Sequence, residues 1–276
     1  MYYADYVLFI FIVSVLSIAA IFDIKNREVP DFVSYLLIGG SFMLSLLYTI
    51  YTSSLANIEF MPVSVGILFG FAFLMYISGQ WGGGDAKLML GLGMAFTSIS
   101  LSSRTSMFAV FINILLFGGI YGIFSTLVTG VLNIKKLSKY TKRYDIILIV
   151  AGAVIILSAF MLLPYPLSWL IAFSLFMLVS MRFIYLISNN LMYVETKTEK
   201  LEEGDWLAEE VKDSHGKTLL QPRNIGLLKD DITKLKENNV KTVLIKIGMP
   251  FVPSILLGVL VTIIFGNPLL SVLSAL

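Results

Sequence analysis

"YISGQWGGGDAKLMLGLGMAF", Tyr76–Phe96, sets three consecutive glycines, Gly82, Gly83 and Gly84, ahead of an aspartate, Asp85. Long apolar runs flank the stretch on both sides. A carboxylate on the most pliable backbone of an apolar chain needs a reason, and the surroundings supply one. Of the 276 residues, 57% are hydrophobic and 14% charged, and mean hydropathy is +0.87. A soluble domain of this size needs far more polar surface. Apolar runs of about 17 to 25 residues recur, the length that crosses a hydrocarbon core. The chain therefore reads as a polytopic membrane protein.

Eight apolar segments follow one another: Tyr6–Phe22, Phe32–Tyr51, Phe60–Ser78, Ala86–Leu101, Met107–Leu132, Ile146–Leu163, Pro166–Ile187 and Ile247–Leu270. The expected fold is all-α, a polytopic helical bundle of about eight transmembrane segments with a small cytoplasmic polar segment. The fourth segment is the shortest and carries Gly91 and Gly93, so a re-entrant loop is its alternative. Pro164 and Pro166 in "LLPYPL" separate the sixth from the seventh. No basic region precedes the first segment, which reads as a retained span and not as a cleaved signal.

Orientation follows from lysine and arginine. With the N-terminus outside, the inner connections are Asp23–Asp31, Gln80–Asp85, Asn133–Asp145 and Ser188–Lys246. These and their adjoining helix ends hold every basic residue except Arg104. The loop "NIKKLSKYTKRYD" (Asn133–Asp145) argues against a re-entrant fourth segment, which would turn it outward. The expected division is 1–193, a membrane bundle; 194–241, a cytoplasmic polar segment; and 242–276, a C-terminal transmembrane helix. The polar segment opens acidic, with Glu195, Glu199, Glu202, Glu203, Asp205, Glu209, Glu210 and Asp213, and mixes helix formers with breakers. It reads as partly ordered. Arg104 and His215 read as surface groups.

Several classes fall away. Without cysteine there are no disulfides, thiolate metal sites or cysteine nucleophiles, and one histidine makes no histidine metal site. No metal and no cofactor is expected. A net charge of +2 does not point to nucleic acid.

The topology gives a result that composition does not. The first segment ends inside at "AIFDIKNREVPD", and the fourth begins there at "WGGGDAK", so Asp23 and Asp85 share one membrane face. Two carboxylates about 3 Å apart do not both ionise easily, so the pair holds a single proton. The ionised member takes a proton from water while the protonated one polarises a peptide carbonyl. A run without side chains leaves room for an extended substrate beside Asp85.

"GGGDAKLMLGLG" (Gly82–Gly93) resembles the Gly-x-Gly-Asp-x-Lys motif of the prepilin peptidases, membrane aspartic proteases that share Gly-x-Gly-Asp with presenilin and signal peptide peptidase. "FDIKNREVPD" (Phe22–Asp31) resembles the family's first aspartate motif. Length, missing cysteines and "GMPFVPSILLG" look most like the archaeal branch, the preflagellin and prepilin peptidases. The resemblance implies that Asp23 and Asp85 are the catalytic pair, Gly82 and Gly84 the motif glycines and Lys87 the motif lysine. It covers residues 1–132 in order, and Gly248–Leu270 loosely. Departures are the two spans within 146–187, Asp31 where the family often has Asn, and the absence of the bacterial cysteine-rich insert tied to N-methylation. The implied protein is an aspartic endopeptidase of the cell membrane. It removes the basic leader of prepilin or preflagellin (archaellin) precursors at the cytoplasmic face. The alternative from the residues alone is a proton-coupled transporter using Asp23 and Asp85. Against it, both acids sit at the span ends, no repeat is visible, and carriers place binding groups nearer the midplane.

Overall fold

A computed structural model of the chain describes residues 3–97, 106–212, 216–223 and 226–267. Arg104, Asp213 and His215 lie outside the described residues. The helices are α1 (Tyr3–Asn26), α2 (Asp31–Thr52), α3 (Ala56–Ile77), α4 (Gly83–Ala95), α5 (Met107–Leu132), the short α6 (Ile134–Leu137), α7 (Arg143–Leu162), α8 (Leu167–Leu191), α9 (Lys229–Glu237) and α10 (Val252–Phe265). Between α8 and α10 lie strands β1 (Tyr193–Lys197), β2 (Trp206–Leu207), β3 (Val211–Lys212), β4 (Thr218–Leu220) and β5 (Thr242–Lys246).

The chain is a helical polytopic membrane protein. Among the described residues six helices, α1, α2, α3, α5, α7 and α8, are long and apolar enough to cross a bilayer. The fourth and eighth apolar segments give shorter helices, α4 with 13 residues and α10 with 14. At 1.5 Å per residue α4 extends about 20 Å, less than the roughly 30 Å of a hydrocarbon core. A helix that stops inside apolar surroundings strands its last carbonyls. Two serines of neighbouring helices answer them: Ser45 Oγ donates to the Met94 carbonyl at 2.7 Å, and Ser64 Oγ to Phe96 at 2.6 Å.

Contacts between distant positions set the sidedness. Val29, in the α1–α2 connection, packs on Gly84, and Asp31 pairs with Lys87, so α4 starts where α1 ends. The α10 start meets Asp23, and the Thr126 hydroxyl near the end of α5 reaches Met249 Sδ at 3.2 Å. The end of α5, the start of α7, the end of α8 and the strands therefore belong to the Asp23 face. On the opposite side Asn113 Nδ2 donates to Thr262 Oγ1 at 2.9 Å and to the Gly266 carbonyl at 2.7 Å, which ties α5 to α10. The chain changes face between Gly83 and Met107. Every described lysine and arginine lies at the Asp23 face or on the helix turns bordering it.

The principal core joins α1, α2, α3, α4, α5 and α10 through Leu16, Leu37, Leu68, Leu88, Leu92, Ile114 and Val259, all fully buried. Gly91 and Gly93 let α4 close on its neighbours: a methyl at Gly91 would meet Leu37 at 2.9 Å, and at Gly93 the Val65 Cα at 2.8 Å.

The polar region differs from its expected partly ordered state. β5 pairs antiparallel with both β1 and β2, β3 pairs with β4, and α9 packs on the sheet. Leu201, Leu207, Leu220, Leu227, Leu235 and Val243 make a core of its own. The alternation in "TVLIK" (Thr242–Lys246), buried at Val243 and Ile245, carries the central strand into a region assigned from sequence to the terminal helix.

Candidate functional site

The last turn of α1 carries Asp23, which is buried. α1 then stops because Arg27 turns left-handed, at φ 59°, and its N–H bonds the Asp23 carbonyl at 2.8 Å. Two residues later Val29 drops onto α4, and Pro30, with extended ψ, opens α2. The "DIKNREVPD" run is thus a tight reversal that leaves Asp23 facing inward.

Asp85 occupies the third position of α4. Its Oδ2 accepts from the Gly82 N–H at 3.0 Å, which satisfies one of the free donors at the helix start. Asp85 is half-buried. It lies close enough to Asp23 for their charges to interact directly. The two carboxylates expected to share a face therefore lie at the same one.

Asp23 also has a partner that sequence reading missed. Its Oδ2 accepts from the Val252 N–H at 2.8 Å, and the Phe251 backbone joins in. These are free donors at the start of α10, where the helix dipole adds positive potential. The Arg27 guanidinium donates to the Gly248 carbonyl and fixes the approach to α10. The signal in the sequence was "GMPFVP": Pro253 in the first turn of a helix marks where unpaired backbone donors begin.

A second unforeseen element is aromatic. Trp81, buried directly before the glycines, lies 4.7 Å from the Phe251 ring and 5.6 Å from Phe71 between centroids. It links the α3–α4 turn to the residue preceding Val252. The segment that positions Asp85 and the helix that holds Asp23 thus share one packing contact.

The glycines act differently from one another. None of Gly82, Gly83 and Gly84 has positive φ. Gly82 supplies the N–H for Asp85 and is exposed on its other side. Gly84 is required by close approach, since a methyl there would sit 3.0 Å from Val29 Cβ. Lys87 points away from both aspartates. Its Nζ pairs with Asp31 Oδ1 at 2.5 Å and lies 5.4 Å from the Tyr35 ring centre. Asp31, the residue that stands where the family often has Asn, is the ion partner of the motif lysine.

The polar unit borders this centre. Glu28, beside Val29, hydrogen-bonds the Glu202 side chain, and with Asp205 and Asp31 close by its carboxyl is pushed up to about 7. Trp206 approaches the Gly248 backbone. Among the described residues no group of three His, Asp or Glu side chains gathers as a metal site.

Residues 10–123 match the type IV leader peptidase family. The match supports a prepilin-peptidase-family assignment. It spans both aspartate motifs and stops within α5, so α6 to α10 and the polar unit lie beyond it. No curated protein and no solved structure matches the chain.

Proposed function

We propose that the protein is a membrane aspartic endopeptidase in which Asp23 and Asp85 are the catalytic pair. It removes the short basic leader of pilin-like or archaellin precursors. One observation carries the reading: two carboxylates far apart in the chain, both inside the family match, lie at one face of the bundle, each accepting a backbone N–H.

The chemistry needs one proton between the two acids. The ionised carboxylate removes a proton from water as its oxygen adds to the scissile carbonyl, and the protonated carboxyl donates to the carbonyl oxygen. In the collapse the carboxyl that took the proton from water gives it to the departing nitrogen as the C–N bond breaks, and the diol hydroxyl returns its proton to the other carboxylate, which restores the singly protonated pair. Asp85, half-buried, keeps access to water, while Asp23 is held fixed by the α10 start. Gly82 offers an open backbone edge beside Asp85 for an extended peptide. The excess of lysine and arginine on this face favours the cytoplasm as its side, with the N-terminus outside and residues 194–241 cytoplasmic.

The test uses purified protein in detergent with a peptide that places a short basic leader before an apolar helix. Cleavage at the junction is expected for the wild type and its loss for Asp23→Asn and for Asp85→Asn. Equal cleavage by either variant removes that aspartate from the mechanism. An intact peptide with folded wild type shifts the reading to proton-coupled transport.

A further inference from the structure

The hairpin α7–α8 lies outside the family match, and its end on the Asp23 face frames an open cavity of its own chemistry. The volume is about 450 Å³. Three cations, Lys139, Lys142 and Arg182, and three phenols, Tyr140, Tyr144 and Tyr185, line it. The geometry points to a binding site for the phosphate of an anionic phospholipid headgroup.

The wall of the cavity is built, not fortuitous. Leu137, fully buried against Leu186 and Ile187, anchors the α6 turn to α8 and so fixes the segment that carries Lys139 and Tyr140. The Thr141 hydroxyl closes that turn on the Leu137 carbonyl at 3.0 Å. Across from it, Arg182 Nε donates to buried Asp145 at 2.7 Å, and Nη2 donates to the Tyr144 hydroxyl at 2.7 Å. The guanidinium also lies 5.1 Å and 5.4 Å from the Tyr144 and Tyr185 ring centres. Asp145 is thereby neutralised by Arg182. Lys142 lies near the same Asp145, with its Nζ 5.9 Å from the Tyr144 ring centre, so three cations face one carboxylate and the cavity keeps a net positive charge.

Location selects the anion. α7 and α8 expose apolar side chains along their length, including Ile147, Val150, Phe173 and Met181, as helices facing hydrocarbon do. The cavity stands where these helices end, at the depth of headgroups. Tyrosine rings favour that interface, and basic pockets between spans on this side suit anionic lipid phosphates. Lysine ammonium groups supply point-charge donors to phosphate oxygens, and the acyl chains continue along the exposed helix faces. A soluble phosphate offers the same headgroup chemistry but not the chains.

The experiment measures lipid retained on the full-length protein by native mass spectrometry after exchange into detergent with phosphatidylglycerol or phosphatidylcholine. Phosphatidylglycerol is expected to be retained at least tenfold more than phosphatidylcholine. Lys139→Gln with Lys142→Gln should abolish the preference. Lys135→Gln with Lys136→Gln, which removes the same charge from the same loop outside the cavity, should leave it. Equal retention of the two lipids, survival of the preference in the first double variant, or its equal loss in the second would overturn the site. A separate arm titrates inorganic phosphate. If phosphate alone at millimolar concentration raises the melting temperature through Lys139 and Lys142 while the lipid does not, the lipid source is wrong. Leader cleavage is not read in any arm, so failure here is distinct from failure of the peptidase reading.

Discussion

The two ends of the membrane bundle are put together by different means. In α1, 39% of the most apolar stretch is buried against protein, whereas in α7 and α8 the figure is 17%. The aspartate-bearing half is closed by glycines and serines that bring backbones into contact, and by backbone donors aimed at carboxylates. The α7–α8 hairpin is open to lipid and is fastened at one end by Asp145 and Arg182. Where lipid tails are as apolar as the side chains, burial of apolar surface does not distinguish protein from lipid contacts, so close packing and polar pairs must hold helices together. The first half uses both devices throughout. The second has its ion pair at one end, with Gly152 against Val179 and Phe160 on Trp169 further along, and most of its surface is left for lipid.

The sharpest way to break this contrast is to remove charge from each half. Asp23→Asn or Asp85→Asn should lower leader cleavage by about 100-fold or more, the ordinary range for losing a positioned acid or base. Arg182→Gln, which leaves Asp145 buried and unpaired, should lower the melting temperature in detergent yet keep cleavage within about twofold of wild type per folded molecule. An equal collapse of cleavage would mean that the hairpin is coupled to the centre.

The next effect tests close packing. Gly84→Val forces a branched side chain into Val29, and overpacking of this kind costs about 1–3 kcal/mol. Lower thermal stability and reduced cleavage are expected. Gly122→Ala, where a methyl meets nothing, should change neither. A harmless Gly84→Val would show that the two connections can separate without loss.

A smaller effect comes from pH at the seam between bundle and polar unit. Glu28 titrates at about 7 because it shares a hydrogen bond with Glu202, and its ordinary value is 4.5. The raised value means that the protonated form is favoured in the folded state. The contact is therefore fully present below about 4.5 and is lost as pH rises through about 7. Hydrogen exchange at residues 27–29 should quicken between pH 6 and pH 8.5 beyond its intrinsic increase, and Glu28→Gln should abolish that excess. The smallest change is expected at the exposed Lys87–Asp31 pair, where Asp31→Asn should cost no more than about 1 kcal/mol in thermal unfolding.

Much of the membrane half was legible because its signals are local. Apolar run length fixed the helices, and alternating loops brought Asp23 and Asp85 to one face. The Lys87 partner was not legible, since Asp31 reads as a loop charge until α2 and α4 are packed side by side. Nor was the α10 contribution to Asp23. That bond joins positions 229 apart, and its donor is backbone, which carries no side-chain signature. The length of α4 was obscured for a related reason: its carbonyls end on Ser45 and Ser64 hydroxyls, and serines in an apolar run do not announce what they cap. In the polar region, breakers and charge suggested partial order, while two five-residue strands, β1 and β5, organise a core that no single stretch reveals.

The bond from Val252 to Asp23 also orders events during biosynthesis. Both carboxylates emerge from the ribosome early, but the amide that braces one of them comes near the end of the chain. A nascent polypeptide cut off before α10 possesses the acids without their finished setting. The Asp23 carboxylate is therefore fully braced only once α10 has joined α1.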